Sequence, residues 1–488
     1  MSKAMKKVEM AAKVGAAVLL GGALLSGCVL PGEFDAVSNE CDSPRFDVET
    51  RDAFCSGSLE SRVVHEEVGF SSGSQPLVQA QGDFISMILP FERGGGVTLR
   101  VMETRNGGES YEEVLNTDVR LSATGTLTSF ALLGLGAEGF DPSAATLALV
   151  YGRESLRFAR VGQGASDGVD DVPQEGDAGF DEDVEVLTGE ARSQFGGEGC
   201  EPDEEGRQFP LTDVAALSSK NEPGNNFLMV AARCAMVVYA QREGGLPFLV
   251  NQYPIKAQDI ELDRQGDRMF VASGLDGLQI RTLSTFEAQL DAIFGDALAR
   301  GEQESDQPGD PDDLAPSAES FTPLVNGVDG FVNVDPSIQA LTNVTQVAYT
   351  GKKVFFINSP VDTGRPSDLL TYLVSGDLTE GGLLESRRSV PIAQEDLLPE
   401  SEFQWSLVGL GDSLVAVLGN RTDLSTGQPA TSSQLKLYDA PADKTPSFIM
   451  DLPLTGSVNS IQLKDGELWA FQRDIIAGYT IKVGGNPL

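Results

Sequence analysis

AQDIELDRQGDRMFVASGLDGLQIRTLS, residues 257–284, is the stretch on which the reading of the chain turns. Residues 258–262 alternate, with Ile260 and Leu262 on one face, as a half-buried strand does. Arg264-Gln265-Gly266-Asp267 is a polar tight turn. Met269-Phe270-Val271-Ala272 is apolar and short, so it reads as a buried strand and not as a helix. Gly274-Leu275-Asp276-Gly277 turns the chain again, and Leu278 and Ile280 begin another strand. Short strands joined in sequence by tight turns make an antiparallel meander.

The same outline recurs at 77–102, 127–160, 214–239, 344–374, 403–438 and 458–483. Gly82-Asp83, Gly351-Lys352, Gly411-Asp412 and Asp465-Gly466 mark the matching turn. Most copies are followed by a fourth alternating segment, such as 248–255 or 448–454. Four strands in roughly 40–60 residues is the signature of a propeller blade. One such sheet cannot bury both its faces alone, so the copies must stack around an axis. The expected fold is all-β, a seven-bladed β-propeller of four-stranded antiparallel blades, with one inserted helix and acidic loops. The last copy runs out of chain before a fourth strand. The alternating segment RVVHEEVGF, residues 62–70, stands before the first copy with no blade of its own. It is expected to supply the missing outer strand and close the ring, leaving no open sheet edge there.

The central copy resembles the LVIVD-type repeat, a propeller blade of secreted bacterial proteins. The residues that carry the likeness are Asp259-Ile260, Gly266-Asp267, Met269-Phe270-Val271-Ala272 and the run from Gly274 through Leu278 and Gln279 to Ile280. The resemblance implies a fold and little about chemistry, because propellers serve both as binding platforms and as enzymes.

The 488 residues exceed one ordinary core, yet a seven-bladed ring accommodates most of them. With 35 basic and 73 acidic residues the formal charge is −38, so the basic footprint that nucleic acid requires is missing. Lys3, Lys6 and Lys7 form a basic start, and residues 14–25 are an apolar run of signal-peptide length. Leu25-Ser26-Gly27-Cys28 follows, and it resembles a bacterial lipobox. That likeness implies that Cys28 becomes the lipid-bearing first residue of the mature protein. Val29 stands where enteric bacteria place an aspartate to retain lipoproteins at the inner membrane, so an outer-membrane location is favoured. The expected organisation is a signal peptide at 1–27, a lipidated cysteine and polar tether at 28–58, and the propeller at 59–488.

Cys41, Cys55, Cys200 and Cys234 remain, an even number in an exported chain, which favours disulfides. Of the pairings, Cys41–Cys55 and Cys200–Cys234 are preferred, one within the tether and one pinning an acidic insertion to a strand. Zinc is disfavoured, since no CxxC spacing occurs and the only histidine is distant.

Two insertions interrupt the repeats, at about 165–205 and 285–318. The first is rich in Asp, Glu and Gly and reads as a surface loop. The second begins with FEAQLDAIFGDALAR, residues 286–300, a helix whose face of Phe286, Leu290, Ile293, Phe294 and Leu298 should pack on the ring. Ser284 and Glu287 have the spacing of a capping box, and Gly301 stands at the stop position. The acidic groups Asp167, Asp170, Asp171 and Asp310, Asp312, Asp313 are the candidate ligands for a hard cation. Calcium is the ion they would take, without EF-hand spacing, and no other cofactor is expected.

Other motifs fail on context. Gly134-Leu135-Gly136-Ala137-Glu138-Gly139 fits GxGxxG, but a strand and not a helix is expected after it, so the pyrophosphate would find no helix N-terminus. The GxSxG matches at 69–73 and 164–168 sit at no strand-to-helix elbow. His65 is the only histidine and falls in the expected closing strand, which removes the usual base of hydrolase designs.

Three functions fit this picture. The preferred one is an exported, lipid-anchored propeller that holds an envelope protein or a surface polymer. The second is a hydrolase or lyase with carboxylates and a cation at the channel mouth. The third is a structural lipoprotein with no specific ligand.

Overall fold

A computed structural model of the chain describes residues between 62 and 487, and the longest stretches outside the description are 1–61, 162–210, 301–321 and 326–342, with several short loops besides. The chain is a seven-bladed β-propeller. It begins with β1 (Arg62–Glu66). Blade 1 is β2 (Leu77–Gln81), β3 (Phe84–Pro90), β4 (Gly96–Arg105) and β5 (Ser110–Arg120). Blade 2 is β6 (Leu127–Leu133), β7 (Thr146–Tyr151) and β8 (Ser155–Arg160), three strands among the described residues. Blade 3 is β9 (Leu211–Ser218), β10 (Asn225–Ala232), β11 (Ala235–Arg242) and β12 (Phe248–Tyr253). Blade 4 is β13 (Asp259–Asp263), β14 (Arg268–Ala272), β15 (Leu278–Thr282), the helix α1 (Leu283–Arg300) and β16 (Thr322–Val325). Blade 5 is β17 (Val344–Tyr349), β18 (Lys353–Asn358), β19 (Leu370–Leu378) and β20 (Leu384–Gln394). Blade 6 is β21 (Ser401–Gly409), β22 (Leu414–Asp423), β23 (Gln428–Asp439) and β24 (Ser447–Asp451). Blade 7 is β25 (Val458–Lys464), β26 (Glu467–Gln472) and β27 (Ile475–Thr480).

The first strands lie side by side around the axis. β2 neighbours β6, then β9, β13, β17, β21 and β25 follow in turn, and β25 returns to β2. The ring is closed at its outer edge by β1, which pairs antiparallel with β27 as the fourth strand of blade 7, His65 lying opposite Ile476. The expected closure by the segment ahead of the first copy is therefore what the chain does. The repeat pattern carries the last strand on to Val483, and here the structure differs. Lys482–Val483 and Asn486–Pro487 form a small hairpin of their own.

The core is divided among the seams between blades. Met269 and Val271 pack toward blade 3, with Phe227, Met229 and Val238. Phe270 and Ala272 pack toward blade 5, with Val354 and Phe356. Both faces of β14 are thus buried, and that is why its sequence is a continuous apolar run and not an alternating one. The seam between blades 7 and 1 is filled by Trp469 and Phe471 against Val78, Ile85 and Met87.

Blade 4 shows how local chemistry sets the turns. The Asp263 carboxylate accepts the Gly266 N–H at 2.9 Å, an Asx-type turn that leads β13 into β14. A Cβ at position 266 would collide with Asp263 Oδ2, so any other residue there would displace the carboxylate that makes this turn. The next turn reaches the neighbouring blade: Gly274 and Val344 exchange backbone hydrogen bonds of 2.9 and 3.0 Å.

The helix corrects two expectations. The repeat pattern puts the second insertion after blade 4, but α1 joins the third and fourth strands within that blade, since β16 pairs with β15. No capping box forms. The helix starts at Leu283, so Ser284 lies in its first turn, and the cap comes from the turn before β14. Asp267 accepts the Ser284 N–H at 2.6 Å and its Oγ–H at 2.7 Å. The long-range partner wins because Asp267, held at φ 55°, already points its carboxylate at the helix end.

Candidate functional site

Two features stand out where the sequence places polar groups against the apolar ring. The first is a set of carboxylates on the innermost strands of blades 3 and 4. Asp213 on β9 accepts the Ile260 N–H of β13 at 3.1 Å. Asp259 on β13 accepts the Val347 N–H of β17 at 2.8 Å. In blade 1 the Gln79 amide oxygen does the same for the Leu132 N–H of β6, at 3.1 Å. Inner strands of successive blades lack ladder hydrogen bonds to one another, so a side-chain acceptor satisfies an N–H that would otherwise be orphaned. Glu261 lies on the same face of β13 as Asp259 and Asp263, two residues from each.

These acids crowd one another. Burial pushes Glu261 up to about 8, and the neighbouring charges of Asp263 and Asp213 add to that. Burial likewise raises Asp213 to about 6, opposed by its backbone hydrogen bonds. Asp259 is raised well above the carboxylate range by burial and then by the Asp213 charge. The group as a whole therefore holds on to protons at a pH where isolated carboxylates have lost them, which lowers its charge. Among the described residues no three Asp, Glu, His or Cys side chains are arranged to hold a metal ion.

The second feature is the seat of α1. Its apolar face meets blade 3: Phe294 contacts Phe227 and Phe248, with ring centroids 6.0 and 5.5 Å apart, and Phe286 contacts Tyr253 at 5.5 Å. The Arg281 guanidinium lies 5.0 Å over the Phe286 ring and donates to Gln289 one turn further along. Glu287, only 3 % exposed, accepts the backbone N–H groups of Lys220 and Asn221 from the β9–β10 turn. One helical turn on, Asp291 accepts from Ser219 Oγ at 2.7 Å and from Asn225 Nδ2 at 2.9 Å. Arg264 adds a bond to the Ser218 carbonyl at 2.9 Å. The helix is a clamp across the rim of blades 3 and 4. Ile293 and Leu298 complete its packed face, as the periodicity implies.

The residues singled out from sequence fall mostly elsewhere. Leu25, Ser26, Gly27 and Cys28, the cysteines Cys41, Cys55, Cys200 and Cys234, and the aspartates Asp167, Asp170, Asp171, Asp310, Asp312 and Asp313 all lie outside the described residues. Both GxSxG matches do too. Gly134 opens the turn between two strands, β6 and β7, as the failure of the dinucleotide reading requires. His65 sits in the outermost strand of blade 7, away from the inner strands. Sequence reasoning missed the inner-strand acids. The signal was a polar residue in the first strand of blades 1, 3 and 4, where the apolar pattern alone would not demand one.

No family description and no curated relative matches the chain. Among solved structures, the Saccharomyces cerevisiae protein Sqt1 is 8% identical with a TM-score of 0.37, over 87% of this chain and 99% of that one. The WD40 β-propeller domain of Doa1 is 9% identical with a TM-score of 0.40, over 87% and 98%. A Lactobacillus plantarum protein is 11% identical with a TM-score of 0.33, over 79% and 90%.

Proposed function

We propose that this chain is a lipid-anchored, exported β-propeller that serves as a binding platform in a bacterial cell envelope, holding another protein or a surface polymer. The observation that carries the reading is the closed ring itself, a rigid scaffold whose only histidine lies in its outermost strand. Propellers of this build are commonly interaction scaffolds, with loops at the two ends of the ring as the contact surface. The Leu25-Ser26-Gly27-Cys28 sequence supports the anchor. The segment that follows it leads within a few dozen residues to the ring-closing strand, so the tether would meet the propeller at its outer rim. The acidic insertions would contribute to the contact surface and would take calcium if they bind any ion.

The test has two parts. Metabolic labelling with a fatty acid is expected to mark the wild-type chain and to fail on Cys28→Ser, which should also leave the membrane fraction. Cross-linked affinity capture of the lipidated protein from its own membranes, with and without a calcium chelator, is expected to return one envelope partner. Equal labelling of Cys28→Ser would refute the anchor, and an empty capture would refute the platform.

A second reading rests on Glu261. A carboxylic acid that keeps its proton at neutral pH suits a general acid in a hydrolase or lyase. Turnover of an envelope polymer that disappears in Glu261→Gln, with the ring intact, would select it.

A further inference from the structure

The acids on the inner strands gather at two blade seams. Asp213 of β9 accepts the Ile260 N–H at 3.1 Å, and Ile260 stands between Asp259 and Glu261 on β13, with Asp263 two residues further on. The next inner strand, β17, presents the Val347 N–H to Asp259, and its Tyr349 phenol feels the charge of Asp263. Arg268 of β14 acts on Tyr349, and Arg264 acts on Glu287 at the helix seat. The charges that act on Glu261 and Asp259 are those of other carboxylates. Asp213 joins blade 3 to blade 4, and Asp259 joins blade 4 to blade 5. Any charge gathered here is therefore gathered across both joints at once.

We propose that the inner-strand cluster of Asp213, Asp259 and Glu261 is a pH-sensitive joint of the ring, which tightens when its carboxyls take up protons and loosens when they lose them. The protonated carboxyl keeps a carbonyl oxygen that can accept the Ile260 or Val347 N–H, so the latch survives proton uptake while the mutual repulsion vanishes. The sign follows from linkage. A carboxyl whose value is raised in the folded ring holds its proton after the unfolded chain has released its own. Stability is then greatest in mild acid and falls as pH rises, up to about 6 for Asp213 and up to about 8 for Glu261. Asp259, raised well above the carboxylate range by burial and by the Asp213 charge, adds to the fall in the same direction. Little else in the chain titrates in this window, because it contains a single histidine.

The experiment is urea unfolding of the full chain at pH 5 and pH 8.5, for wild type, Glu261→Gln, Asp213→Asn and the control Asp296→Asn, whose side chain is exposed on α1. The wild-type unfolding constant is expected to rise at least roughly tenfold between the two pH values, a shift worth about one pK unit of proton binding. Asp296→Asn should keep that rise. Glu261→Gln and Asp213→Asn should each reduce it, the latter in the part below about pH 6. If Glu261→Gln does not fold, Asp213→Asn alone decides, read at pH 5 and pH 6.5. A wild-type chain whose stability is flat across the window, or variants that keep the full wild-type slope, would overturn the proposal.

Discussion

Asp267 occupies a place that glycine fills in other blades. Gly224 and Gly351 take positive φ in the first-to-second-strand turns of blades 3 and 5, and in blade 4 Asp267 is held at φ 55°. That conformation costs an L residue about 1–2 kcal/mol, and the carboxylate offsets it by capping α1. Substitution separates the two effects. Asp267→Ala keeps the strain and loses the cap, so it should cost about 0.5–2 kcal/mol in urea unfolding. Asp267→Gly loses the cap but relieves the strain, so it should come close to neutral. Equal losses in both would show that the cap alone matters. This residue also marks a limit of sequence reading. Ser284 and Glu287 have the spacing of a capping box, yet Ser284 is capped by a side chain 17 residues away and Glu287 turns to the neighbouring blade 66 residues distant. Spacing along one helix cannot register such partners. The inner-strand acids escaped for the same reason: Asp213 and Asp259 find their N–H groups 47 and 88 residues downstream.

At the scale of the element, α1 was legible where its signal was local. The apolar spacing of Phe286, Leu290 and Phe294 placed the buried face correctly, and all three are fully buried. Its position inside blade 4 was not legible, because β16 is short and follows a long acidic stretch that carries no pattern. Three substitutions test the clamp. Phe294→Ala removes a side chain wedged between Phe227 and Phe248 and should destabilise by about 3–5 kcal/mol. Gly295 is exposed on the same helix with nothing within 4 Å of where a Cβ would stand, so Gly295→Ala should stabilise by about 0.5–1 kcal/mol. Both are read as shifts in the urea midpoint. Glu287→Ala would leave the N–H groups of Lys220 and Asn221 without their carboxylate and should cost about 2–3 kcal/mol. A loss under about 0.5 kcal/mol would mean that water replaces the carboxylate.

For the whole molecule, repetition along the chain makes the ring readable: alternating strands, glycine-marked turns and a last copy short of one strand. The arrangement of seven first strands around an axis follows from that repetition, and so does the closing role of β1. What repetition cannot convey is chemistry, because seven similar blades differ most in the loops and single residues that depart from the pattern. Removing residues 62–66 should expose the edge of β27. The expected result is association that grows with concentration in sedimentation velocity, as an unpaired edge recruits another chain. A truncated chain that stays monomeric and equally stable would mean that closure rests on the inner strands alone.

The platform reading is tested most directly by comparing cross-linked capture from native membranes by the intact lipidated chain and by the chain lacking residues 62–66. The account predicts one specific envelope partner with the closed ring and its loss when the ring is opened. If the truncated chain has lost the stability of the ring, a partner that it holds equally well would contradict the account, since binding would then need no propeller.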